Sequence, residues 1–493
     1  MMRRKAYASK VLLLGLSLSM AAWGRQHAGN LPRIPTAPAS SLRLRQALRL
    51  ALENSPRLQK AASRVAAAQA GIAAQKARFY PSLDAEESGT RGDDPVYVFG
   101  SLLRQHRFSA QDFQTAHLNQ PAPLTDWTTA IQANVLFWKG GARHQALQGA
   151  ELRALEAQLG REQSRQQVLF TTLEAYAGLQ AARQNARVAA QAQAAARALL
   201  RDAHARYGAG WIVKAELRRA EVFTNQAQQR ARAARDAVRE EAILLDVRLG
   251  RPWNTPIGGL QPLAAPSARA QRPLAYWLAA ARRQGFASRQ AVLGSRLARV
   301  RMHAARSRLW APQAGGFFRL EHDSMQVMGQ GGSNWMAGVS LQWNLFRGGQ
   351  DAARLRQAAA QLAMARDDQR LANQHTLLAT IRLWRDLRLA REQWRVSLSN
   401  RRQARSAAGV IQERYRAGLA SLTQSLQAQT AETRAGAERV QALYQFQLIR
   451  ARLHMMAGGL RTATILQAVD TGRRKQSGQT QLREKPCSRS SDF

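Results

Sequence analysis

Cysteine is almost absent from this sequence. The only one among 493 residues is Cys487, so the chain cannot form an intrachain disulfide. A lipid-modified N-terminus requires a cysteine at the signal cleavage site, and none lies there. We therefore expect neither a disulfide framework nor a lipid anchor, and we expect packing and assembly to stabilise the fold.

Acidic residues are also scarce. The chain has 73 Lys and Arg against 32 Asp and Glu, which gives a formal net charge of +41. Such an excess can indicate a nucleic-acid binder. However, the arginines are spread along the whole chain and no recognised nucleic-acid module accompanies them. We therefore interpret the charge as a solvated cationic surface and expect no nucleic-acid partner.

Long apolar runs are lacking as well, because arginines interrupt every candidate beyond the N-terminus. The apolar stretch from Val11 to Trp23 follows several basic residues and is too short to span a bilayer comfortably. Small residues follow it up to Gly24, which is typical of a secretory signal. We predict a signal peptide at 1–24 and an N-terminal linker at 25–41. An exported chain without membrane helices can span a membrane only as a closed β-barrel.

No constellation of catalytic residues is apparent. The nine histidines are scattered, without metal-ligand spacing or a nearby nucleophile. Met325, Met328 and His322 share one short loop, where ordinary loop packing is the favoured interpretation over soft-metal binding. We therefore expect no enzymatic activity, no cofactor and no metal site.

The sequence contains an internal repeat. Trp127–Gly141 resembles Trp335–Gly349, and Arg206–Gly210 resembles Arg414–Gly418, with 208 positions between the members of each pair. Upstream, the segment from Arg78 to Pro81 resembles that from Arg308 to Pro312. This register predicts a first structural repeat at 42–250, a linker at 251–273, a second repeat at 274–458 and a disordered tail at 459–493.

Two segments alternate with the period of a β-strand. From Trp335, one face carries Ala337, Val339 and Leu341, whereas the other carries Ser340 and Gln342. This pattern is typical of an outer-membrane barrel strand, although a half-buried strand of a soluble sandwich alternates in the same way. The strand from Trp127 behaves similarly, and we expect partner strands near 81–87 and 313–323. The loops at about 85–126 and 324–334 would then be the outer turns.

Four strands per chain cannot close a barrel, and an open sheet edge is not viable in lipid. Several protomers must therefore contribute, and three would supply twelve strands. The remainder is rich in helix formers, with helices expected at about 42–80, 142–250, 274–309 and 350–457. A helix from Ala142 to Arg206 would extend about 100 Å. The expected fold class is an α+β membrane protein, mostly long helices, with four strands per chain.

The repeated motifs resemble those of the TolC family of outer-membrane efflux and secretion channels. The matching segments are Leu48–Pro56, Tyr80–Leu83, Leu136–Gly141 and both Arg-Tyr-x-Ala-Gly motifs. The resemblance covers residues 42–458. It implies a homotrimer with a twelve-stranded β-barrel in the outer membrane and a helical barrel in the periplasm. It also implies an inner-membrane pump and a periplasmic adaptor that docks on the helical tips, so the function is a passive conduit for efflux or type I secretion.

The resemblance also assigns roles to tip residues. The tips around 207–217 and 415–427 would dock the adaptor through a set of apolar and glycine residues: Tyr207, Gly210, Trp211, Gly418 and Leu419. In the family these tips form a gate closed by polar links between neighbouring hairpins. Glu216 and Tyr415 occupy the positions of one such link. Gln424 and Gln427 replace acidic residues that narrow the aperture, so we expect weaker discrimination against anions.

The alternative is a periplasmic coiled-coil scaffold or adaptor without a pore. Such a protein would share the signal peptide and the heptad-like helices. It would not need two alternating strands that each end in Gly-Gly. The strands therefore favour the channel.

Overall fold

The computed structural model describes residues 41–263, 265–266 and 272–470. The predicted signal peptide and the predicted linker up to residue 40 lie outside the described residues. Eleven α-helices and four strands are formed within the described ranges, with one 3-10 helix at Ala110–Phe113. The helices are α1 (Leu44–Asn54), α2 (Pro56–Ala77), α3 (Pro95–Arg104), α4 (Thr115–Asn119), α5 (Ala142–Gly208), α6 (Lys214–Leu249), α7 (Leu274–Gln284), α8 (Phe286–Trp310), α9 (Gln350–Arg416), α10 (Leu422–Met456) and α11 (Thr462–Asp470).

The four strands form one antiparallel sheet in sequence order. They are β1 (Ser82–Gly92), β2 (Leu124–Trp138), β3 (Gln313–Ser324) and β4 (Gly331–Gln342). The pairing confirms the expected four strands per chain, two from each repeat. Strand β1 reaches Gly92, so the first outer loop spans 93–123 rather than the expected 85–126. That loop is ordered by α3, α4 and the 3-10 helix.

The two faces of the sheet differ in chemistry. One row across the sheet joins Ile131, Leu320 and Trp335, which are all on the apolar face. The adjacent row joins Asp84 and Gln132 with Arg319, and lies on the polar face. Because side chains alternate along a strand, this register separates the faces over most of the sheet.

The outer loop is fastened to the sheet by a buried acidic pair. Asp126 and Asp323 are almost fully buried, and Arg104 lies 3.3 Å from the Asp126 carboxylate. Gln105 donates a hydrogen bond to Asp126 at 2.8 Å, and the Thr128 hydroxyl donates one to Asp323 at 2.7 Å. Buried carboxylates are stable only when they are paired in this way.

Two long helical hairpins extend from the sheet. Both α5 and α9 have 67 residues, a length of about 100 Å, and they return as α6 and α10. Each long helix begins after a glycine with positive φ, Gly141 at 76° and Gly349 at 80°. The sequence predicted continuous helices over 42–80 and 274–309, which is wrong in detail. The first breaks at Ser55, whose extended backbone precedes Pro56, and the second breaks at Gly285.

The main core forms where the helices meet the linker between the repeats. Leu48, Leu169 and Leu245 are buried there, together with Ile465 of α11. The hydroxyl of Tyr176 lies 2.9 Å from the carbonyl oxygen of Leu42 and accepts a hydrogen bond from the Gln261 N–H. Helix α11 corrects the expectation of a disordered tail from residue 459, because its apolar side chains pack on the core. Within the described ranges, no helix is both long and apolar enough to cross a membrane.

One histidine of α10 should make the stability of the fold sensitive to acid. Burial, together with the charges of Arg450 and Arg272, lowers the pKa of His454 from 6.5 to about 4. Between these values the unfolded chain binds a proton that the folded chain does not. We therefore expect the free energy of unfolding to fall as the pH drops from about 6.5 to about 4, by on the order of 1–3 kcal/mol.

Thermal unfolding of detergent-solubilised protein at pH 7 and pH 4.5 measures this effect. The variant His454→Gln should lose most of the acid sensitivity because it carries no titrating group. An equal decline in both proteins would assign the sensitivity to other residues.

Candidate functional site at the hairpin tips

Each long hairpin reverses at a glycine, as the sequence predicted. Gly210 has φ +75° and Gly418 has φ +78°. The N–H of Trp211 donates to the carbonyl oxygen of Arg206, and that of Leu419 donates to Arg414, both at 2.8 Å. This is a Schellman ending, in which a left-handed residue lets the following N–H reach back to a free helix carbonyl. Glycine adopts that conformation without a steric penalty.

The predicted docking residues lie at the surface of the tips. Trp211 is 76% exposed and Leu419 is 70% exposed. Tyr207 is partly exposed, at 41%. Exposed apolar side chains are typical of interaction surfaces where they adjoin one another. The geometry is therefore compatible with docking, which stays a prediction.

The two tips pack on each other through a small apolar cluster. Tyr415 is 2% exposed and belongs to a buried cluster with residues of α5, α6 and α10, namely Leu199, Ala203, Leu217, Ala220 and Leu422. The equivalent of Tyr415 in the first repeat is Tyr207, which points outward instead. The repeat is therefore symmetric in backbone and asymmetric in side-chain use.

Arg206 connects the two tips, a role that the sequence analysis did not assign. Its guanidinium donates to the carbonyl oxygens of Tyr415 at 2.6 Å and Arg416 at 2.9 Å. It also lies over the Tyr415 ring, 4.4 Å from the centroid. A cation at the C-terminal end of α9 is favoured by the helix dipole and by the free carbonyls there. The Arg-Tyr pair at the start of each repeated tip motif was the available signal.

Two of the four predicted gate residues occupy equivalent places in the two tips. Glu216 and Gln424 are 208 positions apart and both lie in the first turn of the returning helix. Gln424 forms a capping box, because its side chain accepts a hydrogen bond from the Ser421 N–H at 2.9 Å. Gln427 follows one turn later and is exposed.

The expected link between Glu216 and Tyr415 is not a hydrogen bond within one protomer. The Tyr415 hydroxyl is buried and has no hydrogen-bond partner in the described part of the chain. Burial raises the pKa of Tyr415, and the negative charges of Asp202 and Glu216 raise it further, against the opposing effect of Arg206. Glu216 is therefore near enough to act electrostatically. A buried hydroxyl without a partner is costly, and because this one is enclosed within the protomer, a partner on another protomer could reach it only if the tip rearranged.

Among the described residues, no three His, Cys, Asp or Glu side chains converge in a way that could hold a metal ion. The two ring nitrogens of His322 lie 3.0 Å from the Ser333 hydroxyl and 3.0 Å from the Gly329 carbonyl oxygen. His322 therefore orders the loop between β3 and β4.

Comparison with solved structures identifies the same architecture elsewhere. The chain is similar to the CmeC outer membrane channel of Campylobacter jejuni, with 16% identity, a TM-score of 0.70 and coverage of 87% of this chain and 89% of that one. It is similar to the outer membrane protein VceC of Vibrio cholerae, with 17% identity, a TM-score of 0.69 and coverage of 85% and 97%. It is also similar to the open state of the Neisseria gonorrhoeae MtrE outer membrane channel, with 16% identity, a TM-score of 0.64 and coverage of 85% of this chain and 90% of that one.

The sequence comparison gives the family. Among curated proteins, no sequence match to the chain was found. A family model described as outer membrane efflux protein matches residues 47–251 and 266–459, which is most of the chain. The resemblance to the TolC family that the repeated motifs predicted is confirmed. The chain belongs to the outer membrane efflux protein family.

Proposed function

We propose that three copies of this chain form a passive conduit across the bacterial outer membrane, as the channel of a tripartite efflux or type I secretion system. The observation that carries this proposal is the four-stranded sheet with two faces of different chemistry. Strands β1 and β4 each have one unpaired edge in the described chain, and only further copies can close such a sheet in lipid. Three copies would make twelve strands.

In this proposal the two repeats, 42–250 and 274–458, each supply two strands and one long hairpin. The helices would form a barrel in the periplasm below the membrane. A periplasmic adaptor would dock on the exposed tip residues, and an inner-membrane pump would supply the energy. The family match supports the channel. The alternative, a periplasmic scaffold without a pore, would not require a sheet with an exposed apolar face.

The proposal is tested by fractionation and electrophysiology together. The protein should be recovered with outer membranes as an oligomer that dissociates into monomers on heating. The purified oligomer should conduct ions across a planar lipid bilayer. A monomer in the periplasmic fraction, or an oligomer that never conducts, would contradict the conduit.

We further infer that the tips close the periplasmic end, and that on closing they rearrange so that the Tyr415 hydroxyl donates to Glu216 of the next hairpin in the ring. Such a charged hydrogen bond contributes about 1.5–3 kcal/mol, and three-fold symmetry would repeat it. Tyr415→Phe keeps the ring and its apolar contacts but removes the hydroxyl. We therefore expect Tyr415→Phe to raise the single-channel conductance of purified trimers, measured in planar bilayers.

The aperture itself is tested by adding charge. Replacing Gln424 and Gln427 with Asp should place carboxylates around the three-fold axis, because both residues lie on the tip of α10. Cation selectivity should then rise, and multivalent cations should block the current from the periplasmic side. If neither these aspartates nor Tyr415→Phe changed the current, residues 415–427 would not line the constriction.

A further inference from the structure

A basic groove lies where the helices join the sheet. It has a volume of about 840 Å³ and is formed by the ends of α2, α5 and α8 together with the adjoining strand ends. Four cationic residues line it, Arg78, Lys139, Arg143 and Arg308, and no carboxylate does. We call this cavity the junction groove. Its volume lies within the range of small-molecule sites, about 300–1,000 Å³.

The cations of the junction groove are not neutralised by the protein. In the part of the chain that the structure describes, none of the four forms an ion pair. Some exposed arginines on the long helices are paired, as Arg370 is with Asp367 at 2.9 Å and Arg434 is with Glu438 at 2.8 Å. The junction groove differs from the general arginine excess because it gathers four cations in one cavity that no carboxylate lines.

One of the four is fixed in place. The Arg143 guanidinium donates to the carbonyl oxygens of Arg78 at 2.9 Å and Phe137 at 2.8 Å, and it lies 4.7 Å from the centroid of the Phe79 ring. Arg143 thus ties the end of α2 to the end of β2 and keeps its charge at the groove. The side chains of Arg78, Lys139 and Arg308 donate no hydrogen bond within the described residues. They remain able to contact a ligand.

The groove opens on the polar face of the sheet. Ser82 and Asn134 are register partners on that face and both line the groove, as does Ser340. On the apolar face, Val135 and Gly316 also line the groove, whereas Val339 and Leu83 do not. Asp84 shares the polar face and accepts a hydrogen bond from Asn134 at 3.4 Å, but it is not a lining residue. The lining therefore favours a solute inside the conduit over a lipid headgroup outside it.

We propose that the junction groove binds anionic solutes in transit, meaning molecules that carry phosphate, sulfate or carboxylate groups. This proposal rests on the conduit function. Arginine binds planar oxyanions through paired N–H donors, and uncompensated cations with low-dielectric walls concentrate anions locally. Three grooves would ring the lumen at the level where the helical barrel meets the sheet. The neck of the conduit would then select for anions independently of the tips.

The test compares wild-type trimers with the triple variant Arg78→Gln, Lys139→Gln and Arg308→Gln in neutral-lipid planar bilayers. The reversal potential in a KCl gradient should shift toward cation preference in the variant. Inorganic pyrophosphate should block the wild-type current, and about tenfold more should be needed in the variant, since phosphate contacts lose strength with each cation removed. Arg143 is left intact because it holds the backbone together.

A matched control removes equal charge from paired, exposed helix positions, with Arg239→Gln, Arg370→Gln and Arg434→Gln. It should leave the reversal potential and the pyrophosphate block unchanged. The proposal would be overturned if trimers of the groove variant had the same ion selectivity and the same pyrophosphate block as the wild type. The proposal would also be overturned if anionic phospholipid copurified with the wild-type trimer but not with the groove variant, and the two trimers had the same ion selectivity. Failure of the wild-type trimer to conduct at all would instead contradict the conduit function.

Discussion

Gly418→Val is expected to abolish export while leaving the trimer in the outer membrane. Gly418 holds the left-handed turn at the end of α9, with φ +78°, and a β-branched residue there is strained by on the order of 1–3 kcal/mol. Open space surrounds the position, so a steric clash with a neighbour is not the cause. The strain falls on the turn that presents Leu419, which is 70% exposed. The tip should therefore lose its docking shape without affecting the distant sheet.

The measurement combines a cellular export assay with a gel of unheated outer-membrane trimer. Gly418→Asn is the matched control, because asparagine tolerates the left-handed region far better than valine. It should retain most of the export. Gly210→Val tests the other tip, where φ is +75°. Loss of the trimer itself in Gly418→Val would mean that the glycine serves folding, and the docking interpretation would fail.

Val339→Arg is expected to reduce the amount of folded trimer sharply. Val339 lies on the apolar face of β4 and is 85% exposed in the protomer, so it would face lipid in the closed barrel. An arginine near the membrane midplane costs about 2–4 kcal/mol per protomer. Three-fold assembly would repeat that cost. Leu341, two residues along on the same face, should respond in the same way.

The neighbouring polar positions supply the control. Arginine at Ser340 or Gln342 should be tolerated, because these residues lie on the opposite face, toward the lumen. Trimer yield from outer membranes and its dissociation temperature in detergent measure both pairs. Equal losses at the apolar and polar positions would contradict the assigned faces and, with them, the barrel.

The strands and hairpins were predictable because each has a local cause. Alternation from Trp335 defines two faces, and a sheet must expose one of them to each side. Gly-Gly before each long helix and the Arg-Tyr-x-Ala-Gly motifs fix the helix ends through backbone geometry. The breaks at Ser55 and Gly285 were missed because neighbouring helix formers concealed them. How the outer loop is held could not be predicted, because it depends on Asp126 and Asp323, which are far apart in the sequence.

Some residues of the candidate sites could likewise be named before the structure was known, and others could not. The two turn glycines could be named from the repeat, whereas Trp211 and Leu419 were named through the resemblance to the family. The repeated Arg-Tyr pair marks Arg206, but its role could not be predicted, because its partners are carbonyl groups at the end of α9, about two hundred positions away. The junction groove could not be named either. Arg78 and Arg308 belong to different repeats and share a cavity only because the sheet brings the two repeats together.

The sequence by itself determined the repeat, the class of fold, the strand faces and the left-handed turns. These follow from periodicity and from backbone sterics, which act over a few residues. Only the tertiary structure decided which tyrosine of the two tips is buried, which arginine joins the tips and which cations remain unpaired. Such differences arise because two copies of one motif occupy different surroundings once folded. Burial and charge compensation depend on those surroundings, and a local pattern does not encode them.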